Sequence, residues 1–181
     1  MSASQIARVG ILLRLVENVP GGIGRTAFMK LCFFLQTLRR VPLGYSFSLY
    51  SYGPFDSDVL ADLQTAEGLG VLSSEVHYYS GGYGYSIAKG PQAEAIAPMA
   101  SAFVDSCADS INWVTNTFGS FTASDLELLS TTIFLAIKEP GLSDGAIALQ
   151  VNRIKPHFSI AQINEKLNWL SGKGFLRDGV L

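Results

Sequence analysis

Cysteine and histidine are scarce: the 181 residues hold two of each, Cys32 and Cys107, His77 and His157. So few ligands, so widely spread, exclude a disulfide scaffold and a zinc ribbon, and the carboxylates show no metal-ligand spacing. No metal and no cofactor are expected. Charge is thin as well. Thirteen Lys and Arg against fifteen Asp and Glu leave a formal net charge of −2, which removes the strong electrostatic case for a nucleic-acid binder. No apolar run approaches the roughly 20 residues of a membrane span. In the opening MSASQIARVGILLRLVENVP, Arg8, Arg14 and Glu17 interrupt each apolar run before it reaches the length a secretory signal needs. These readings predict a cytoplasmic protein, in which two free thiols are ordinary. Apolar residues, in contrast, are plentiful. At 48% hydrophobic the chain can build a core without staples, and disorder is excluded.

The motifs of catalysis are missing too. No G-x-S-x-G elbow occurs, and Cys32 and Cys107 sit on apolar helix faces as small hydrophobes. Gly21-Gly22-Ile23-Gly24-Arg25-Thr26 has the look of a phosphate loop but follows a helix and lacks the lysine, so it reads as a turn between helices. Asp56, Asp58, Asp62 and Glu67 read as helix capping and a solvated face rather than paired catalytic acids. An enzyme is not expected.

Periodicity predicts a mainly α, α+β protein. Ile6, Val9, Leu13 and Val16 mark a first helix stopped at Pro20-Gly21-Gly22, and a second spans about 26–40. The segment 45–55, YSFSLYSYGPF, alternates aromatic and apolar residues with serine, as an extended arm ended by Gly53-Pro54. Asp56, Ser57 and Asp58 can cap a third helix, 56–68, and strands at 71–76 and 83–89 flank a turn over 77–82. Helix, helix, helix, hairpin is the order of a winged-helix unit, with the hairpin as wing. A long helix over about 97–118 follows, then helices opened by Thr122 and Ser159 around a shorter one at about 144–154. VLADLQTAEGLGVL (59–72) aligns without a gap on INEKLNWLSGKGFL (163–176), which suggests a second winged-helix-like part. The expected division is 1–90, a connecting helix at 91–120, and 121–181.

KLCFFLQ (30–36) followed by FSLYSYGPFDSDVLADL (47–63) is the most specific stretch, through Lys30, Leu31, Phe33, Gln36, Tyr52, Gly53 and Pro54. It resembles the Panacea (SocA-like) antitoxin domain and the related YwgA-like bacterial proteins, over about residues 26–76. DLELLSTTIFLAIK and KPHFSIAQINEKLNWL resemble the YwgA-like C-terminal part. The resemblance implies a bacterial antitoxin or proteolytic adaptor that works by binding a protein, a toxin among the candidates, and it supplies no catalytic residue.

Tyrosine offers contact area at low entropic cost and keeps a polar tip, which favours interfaces. Tyr45, Phe47, Tyr50, Tyr52, Phe55, Tyr78, Tyr79, Tyr83 and Tyr85 concentrate in the arm and hairpin. From these we expect a protein-contact surface at Tyr50, Tyr52, Gly53, Pro54, Tyr79, Tyr83 and Tyr85. The alternative is a winged-helix transcriptional regulator reading DNA through Asn164, Lys166, Asn168 and Lys173, with Arg25, Lys30, Arg39 and Arg40 as a second basic strip. The third helix carries four acids and no cation, so it is unsuited to the groove.

Overall fold

A computed structural model describes residues 2–80 and 82–176. It is mainly helical, with two small antiparallel hairpins. The order is α1 (Ala3–Glu17), α2 (Arg25–Leu38), β1 (Ser48–Tyr50), β2 (Gly53–Phe55), α3 (Ser57–Gly68), β3 (Leu72–Tyr79) and β4 (Gly82–Lys89). Five helices follow: α4 (Ala93–Ser106), α5 (Ala108–Phe118), α6 (Ala123–Lys138), α7 (Asp144–Ile154) and α8 (Ile160–Gly172). Local chemistry sets most of these limits. Asp56, Thr122, Ser143 and Ser159 each accept a backbone N–H from the first turn of their helix.

Two helices are buried almost all round, and they organise the rest. In α2 every residue from Phe28 to Leu35 is buried, and in α6 every residue from Leu126 to Ile133. Phe34 of α2 stacks on Phe118 of α5 with centroids 4.1 Å apart, and Trp113, Trp169 and Phe175 close round the same ring. A smaller apolar cluster on the far side of α6 holds Ile147, Val151, Phe158, Ile163 and Leu167. Helix α6 is thus the wall shared by both.

Three local expectations are corrected. The long helix over 97–118 is two helices that part at Cys107. Helix α4 packs on α1 and α5 on α2, and one straight rod could not serve both. At the break the Ser106 hydroxyl donates to the Phe103 carbonyl, the kind of side-chain bond that competes with a helix ladder. Second, Gly53-Pro54 does not end the arm but forms its return strand, with Leu49 opposite Pro54. Third, the turn in the larger hairpin is shorter than 77–82, because His77 pairs with Gly84 and Tyr78 with Tyr83. Aromatic side chains suit the pleated ladder better than a loop.

The echo between 59–72 and 163–176 has a structural counterpart. After α3, Gly70 takes φ +68° and the Val71 N–H donates to the Ala66 carbonyl at 2.9 Å. After α8, Gly174 takes φ +76° and Phe175 donates to Leu170, also at 2.9 Å. Both are left-handed glycine exits that turn the chain back on its own helix. The strand expected after the second would fall beyond the described residues. Among those residues no single helix is long and apolar enough to cross a membrane, and α5 with α6 passes such a test only as a pair bent by 117°.

Candidate functional site at the arm and hairpin

The arm rests on a buried polar bed. Helix α6 presents Glu127, Ser130 and Thr131 at i, i+3 and i+4, one helical face. That face meets Gly53, whose φ of +87° suits only glycine and where a Cβ would lie 3.0 Å from Thr131 Oγ1. Two lysines then clasp the arm by its backbone. Lys30 Nζ donates to the Pro54 carbonyl at 2.7 Å. Lys155, at the end of α7, donates to the Tyr50 and Ser51 carbonyls and lies 2.8 Å from Glu127 Oε1. Both lysines are only 2% exposed. Gln36 fixes the start of the arm, giving Nε2–H to the Tyr45 carbonyl at 2.7 Å and taking the Tyr45 N–H at 2.9 Å.

This bed holds two ammonium groups and one carboxylate. The exposed His157 ring approaches the same carboxylate, Nε2 to Oε1 3.5 Å, and carries charge only when protonated. The ion pair of Lys155 with Glu127 is close but off-axis, so Oε1 accepts no well-aligned hydrogen bond from the described groups, and Thr131 Oγ1 has no partner either. Burial pushes the Lys30 ammonium down to about 8, with Lys155 adding to the effect and Glu127 opposing it. A pH dependence follows. Between about 8 and the ordinary 10.5 the unfolded chain keeps a proton that folded Lys30 has shed, so stability rises with pH across that window. Wild type should therefore gain on Lys30→Met in urea unfolding as pH climbs through it. A difference that stays flat would mean that the ammonium is hydrated.

Beside the bed runs a row of aromatic side chains. Tyr78 is 84% exposed and Tyr83 59%, with ring centroids 6.4 Å apart on the β3–β4 hairpin. Tyr83 meets Tyr85 edge-on at 5.9 Å. The Arg25 guanidinium covers Tyr85 at 3.7 Å and lies 3.8 Å from Glu67. Next comes a cavity of about 160 Å³ lined by Arg25, Thr26, Met29, Lys30, Tyr52, Phe55 and Leu60. Tyr52, 68% exposed, stands at its far lip, and Tyr50 projects from the other strand of the arm. Arg25, at the start of α2, thus bridges the β3–β4 hairpin and the arm.

No protein-family model and no curated protein matches this chain.

Of the residues expected at a contact surface, Tyr50, Tyr52 and Tyr83 are open to solvent, and Tyr85 is half-covered by Arg25. Gly53 and Pro54 are buried and serve as scaffold for the two arm tyrosines. The Tyr79 side chain lies outside the described residues. Tyr45 belongs to the core at 6% exposure. Its hydroxyl donates to Asp62 Oδ2 at 3.0 Å, and burial pushes the phenol well above its ordinary range. Cys32 is fully buried, which likewise pushes its thiol up and away from reactivity.

Two charge readings are corrected. The acids of α3 are not all on a solvated face: Asp62 turns inward to a two-pronged pair with Arg8, Nε to Oδ2 2.5 Å and an Nη to Oδ1 3.2 Å. Glu67 accepts from the Ser74 hydroxyl, and Asp56 caps the helix while holding the Ser46 N–H. The basic strip on α2 also dissolves, because Lys30 is buried and Arg39 lies over the Trp113 ring at 5.0 Å. On α8, Asn164, Asn168 and Lys173 are exposed. Lys166 is half-buried and already engaged, 2.9 Å from Asp125 and 3.2 Å from Glu165. Those bonds raise its pKa and use up the charge that a phosphate would need.

Glu127 and Lys155 escaped the sequence reading, and Tyr78, noted there among the clustered aromatics, was not named for the contact surface. The signal for Glu127 was present: with Ser130 and Thr131 it makes a polar stripe on an otherwise apolar helix.

Proposed function

We propose that this protein is a non-enzymatic protein-interaction module of the Panacea-like, antitoxin or adaptor kind, and that the tyrosines of wing and arm are its contact surface. The observation that carries the reading is the pair Tyr78 and Tyr83, large aromatic side chains held outward on a two-stranded ladder. Exposed aromatic rings on a rigid hairpin are the residue type that dominates binding energy in protein interfaces. The lysine clasp serves the same end, since a fixed arm presents Tyr50 and Tyr52 without paying ordering entropy on binding.

Within this proposal the N-terminal part is winged-helix-like. Its support is the helix order α1, α2, α3 followed by the β3–β4 hairpin, with the β1–β2 arm inserted between α2 and α3, together with the bridge from Ile23, between α1 and α2, to Ile87 of β4, Ile23 N–H to the Ile87 carbonyl 3.0 Å and the return bond 2.8 Å. That places a third extended segment beside the wing. The resemblance through Lys30, Gln36, Tyr52, Gly53 and Pro54 agrees with this use of the arm, because Lys30 and Gln36 are the side chains that hold it.

Tyr78→Ala with Tyr83→Ala should abolish co-purification of a partner encoded beside this chain, with a shift in melting temperature below about 2 °C, since neither ring is buried. Retention of the partner by the double variant would refute the surface. A steeply salt-dependent mobility shift on the protein's own promoter, weakened by Lys173→Ala, would instead favour the DNA-binding regulator.

A further inference from the structure

The bridge between Ile23 and Ile87 fixes which way the backbone groups of the β3–β4 hairpin point. Ile87 gives its N–H to the Ile23 carbonyl and takes the Ile23 N–H, so both of its polar groups face away from β3. In an antiparallel ladder such residues alternate with residues that face the partner strand. Ser74 lies opposite Ile87, and the register runs without a bulge from Leu72 to Tyr79. Ser73, Glu75 and His77 therefore direct their backbone groups to β4, as Val71 does at the hairpin base, where its carbonyl accepts from Gly90. Ser74, Val76 and Tyr78 turn theirs the other way, to the outer edge of β3. The matching edge of β4 is covered by the segment through Ile23, and a Cβ on Gly24 would lie 3.5 Å from the Tyr85 carbonyl oxygen. Among the described residues no strand covers β3. Natural sheet edges are blunted by lysine, proline, a bulge or brevity. LSSEVHYY runs for eight residues with neither lysine nor proline, and Glu75, Val76, His77 and Tyr78 are all exposed.

We propose that the outer edge of β3 is a self-association surface, on which β3 of a second copy of this chain pairs antiparallel about a two-fold axis at Val76. Such pairing requires a strand that complements itself. About Val76 this one does so at each exposed position. Val76 meets the second copy's Val76 through two reciprocal backbone bonds, and Ser74 meets the second copy's Tyr78, a small side chain opposite a large one. On the other face of the sheet Glu75 meets the second copy's His77, and the symmetry repeats the pair. An imidazole N–H serves a carboxylate whether or not the ring is charged, and opposite partners across a ladder stabilise it. Moving the axis one residue toward the hairpin base would set Glu75 against Glu75, which the same rule disfavours. The joined sheet has four strands, one face of which carries Tyr78, Tyr83 and Tyr85 of both copies. The inference goes beyond the contact reading above and does not depend on it, because the edge is joined through backbone while the rings stay on the face.

The test is sedimentation of the full chain over about 10–500 µM, the range suited to an interface below about 1,200 Å², paired with amide exchange followed by NMR. The mass should rise from one chain toward two. At the dilute end the amides of Ser74, Val76 and Tyr78 should exchange freely while those of Ser73, Glu75 and His77 are protected, and at the concentrated end all six should be protected. Glu75→Lys should weaken the dimer about tenfold, and His77→Glu added to it should restore the affinity. Val76→Lys, which sets two like charges on the axis, should give a monomer that keeps the alternating pattern of the dilute chain, and that pattern reports an intact hairpin. A chain that stays monomeric throughout, a dimer with no new protection at the three edge amides, or a charge exchange that fails to restore it overturns the proposal. Protection that comes only with a partner encoded beside this chain overturns it as well, since the occupant would then be another polypeptide. The contact surface is read separately, from loss of that partner in Tyr78→Ala with Tyr83→Ala.

Discussion

Replacing Lys155 by alanine should cost about 3–5 kcal/mol of folding stability, the range for leaving one member of a buried ion pair alone. The side chain is 2% exposed and its partner Glu127 8%, so neither can turn to water for compensation. The variant would also strip the donor from the Tyr50 and Ser51 carbonyls, loosening the arm. Urea unfolding of Lys155→Ala, Glu127→Gln and the double variant forms a thermodynamic cycle. The double should lose much less than the sum of the singles, because removing both charges removes the orphaned one. A single-variant loss below about 1 kcal/mol would mean that the pair is effectively solvated. Because Lys155 holds backbone rather than side chain, the arm tyrosines should also lose their fixed position, and tyrosine ring NMR signals from Tyr50 and Tyr52 should sharpen.

Asp62→Ala is the second large effect, at about 3 kcal/mol. Asp62 receives Arg8 through two guanidinium nitrogens and Tyr45 through its hydroxyl, so one substitution unmakes three bonds. The loss should fall below that at Lys155 because Arg8 is 22% exposed and can recover some hydration. The Asp62 carboxylate raises the Arg8 pKa through its hydrogen bond, which marks the pair as favourable in place. For a chain of this size about 3 kcal/mol corresponds to a drop in melting temperature of roughly 6–12 °C. Calorimetry of Asp62→Ala beside Asp62→Asn separates charge from hydrogen bonding, and a drop of less than about 2 °C for alanine would contradict the assignment.

Local rules carried the reading of this fold a long way. Helix ends marked by Asp56, Thr122 and Ser159, and the glycine exits at Gly70 and Gly174, depend on neighbours within a few residues, so they are written in adjacent letters. The arrangement of helices is not. The apolar stripe through Cys107 continues unbroken in sequence, and only the demand that α4 lie on α1 while α5 lies on α2 breaks it. The site shows the same division. Exposed tyrosines were expected from residue type and found in the β3–β4 hairpin and the arm. Lys30 was misread, because it looks like a surface residue until its Nζ is seen facing Pro54 across a distance of 24 positions in the chain. Asp62 was taken for a solvated acid for the same reason, its partner Arg8 lying 54 positions away.

Lys155 reaches the Tyr50 and Ser51 carbonyls across about 105 residues. A hairpin of three-residue strands is too small to hold its own shape. The display of Tyr50 and Tyr52 is therefore on loan from the last third of the polypeptide: a fragment ending before α6 would keep the two rings and forfeit their presentation. Any partner engaging the arm is, in effect, also checking that the distant end of the molecule has been made and has folded.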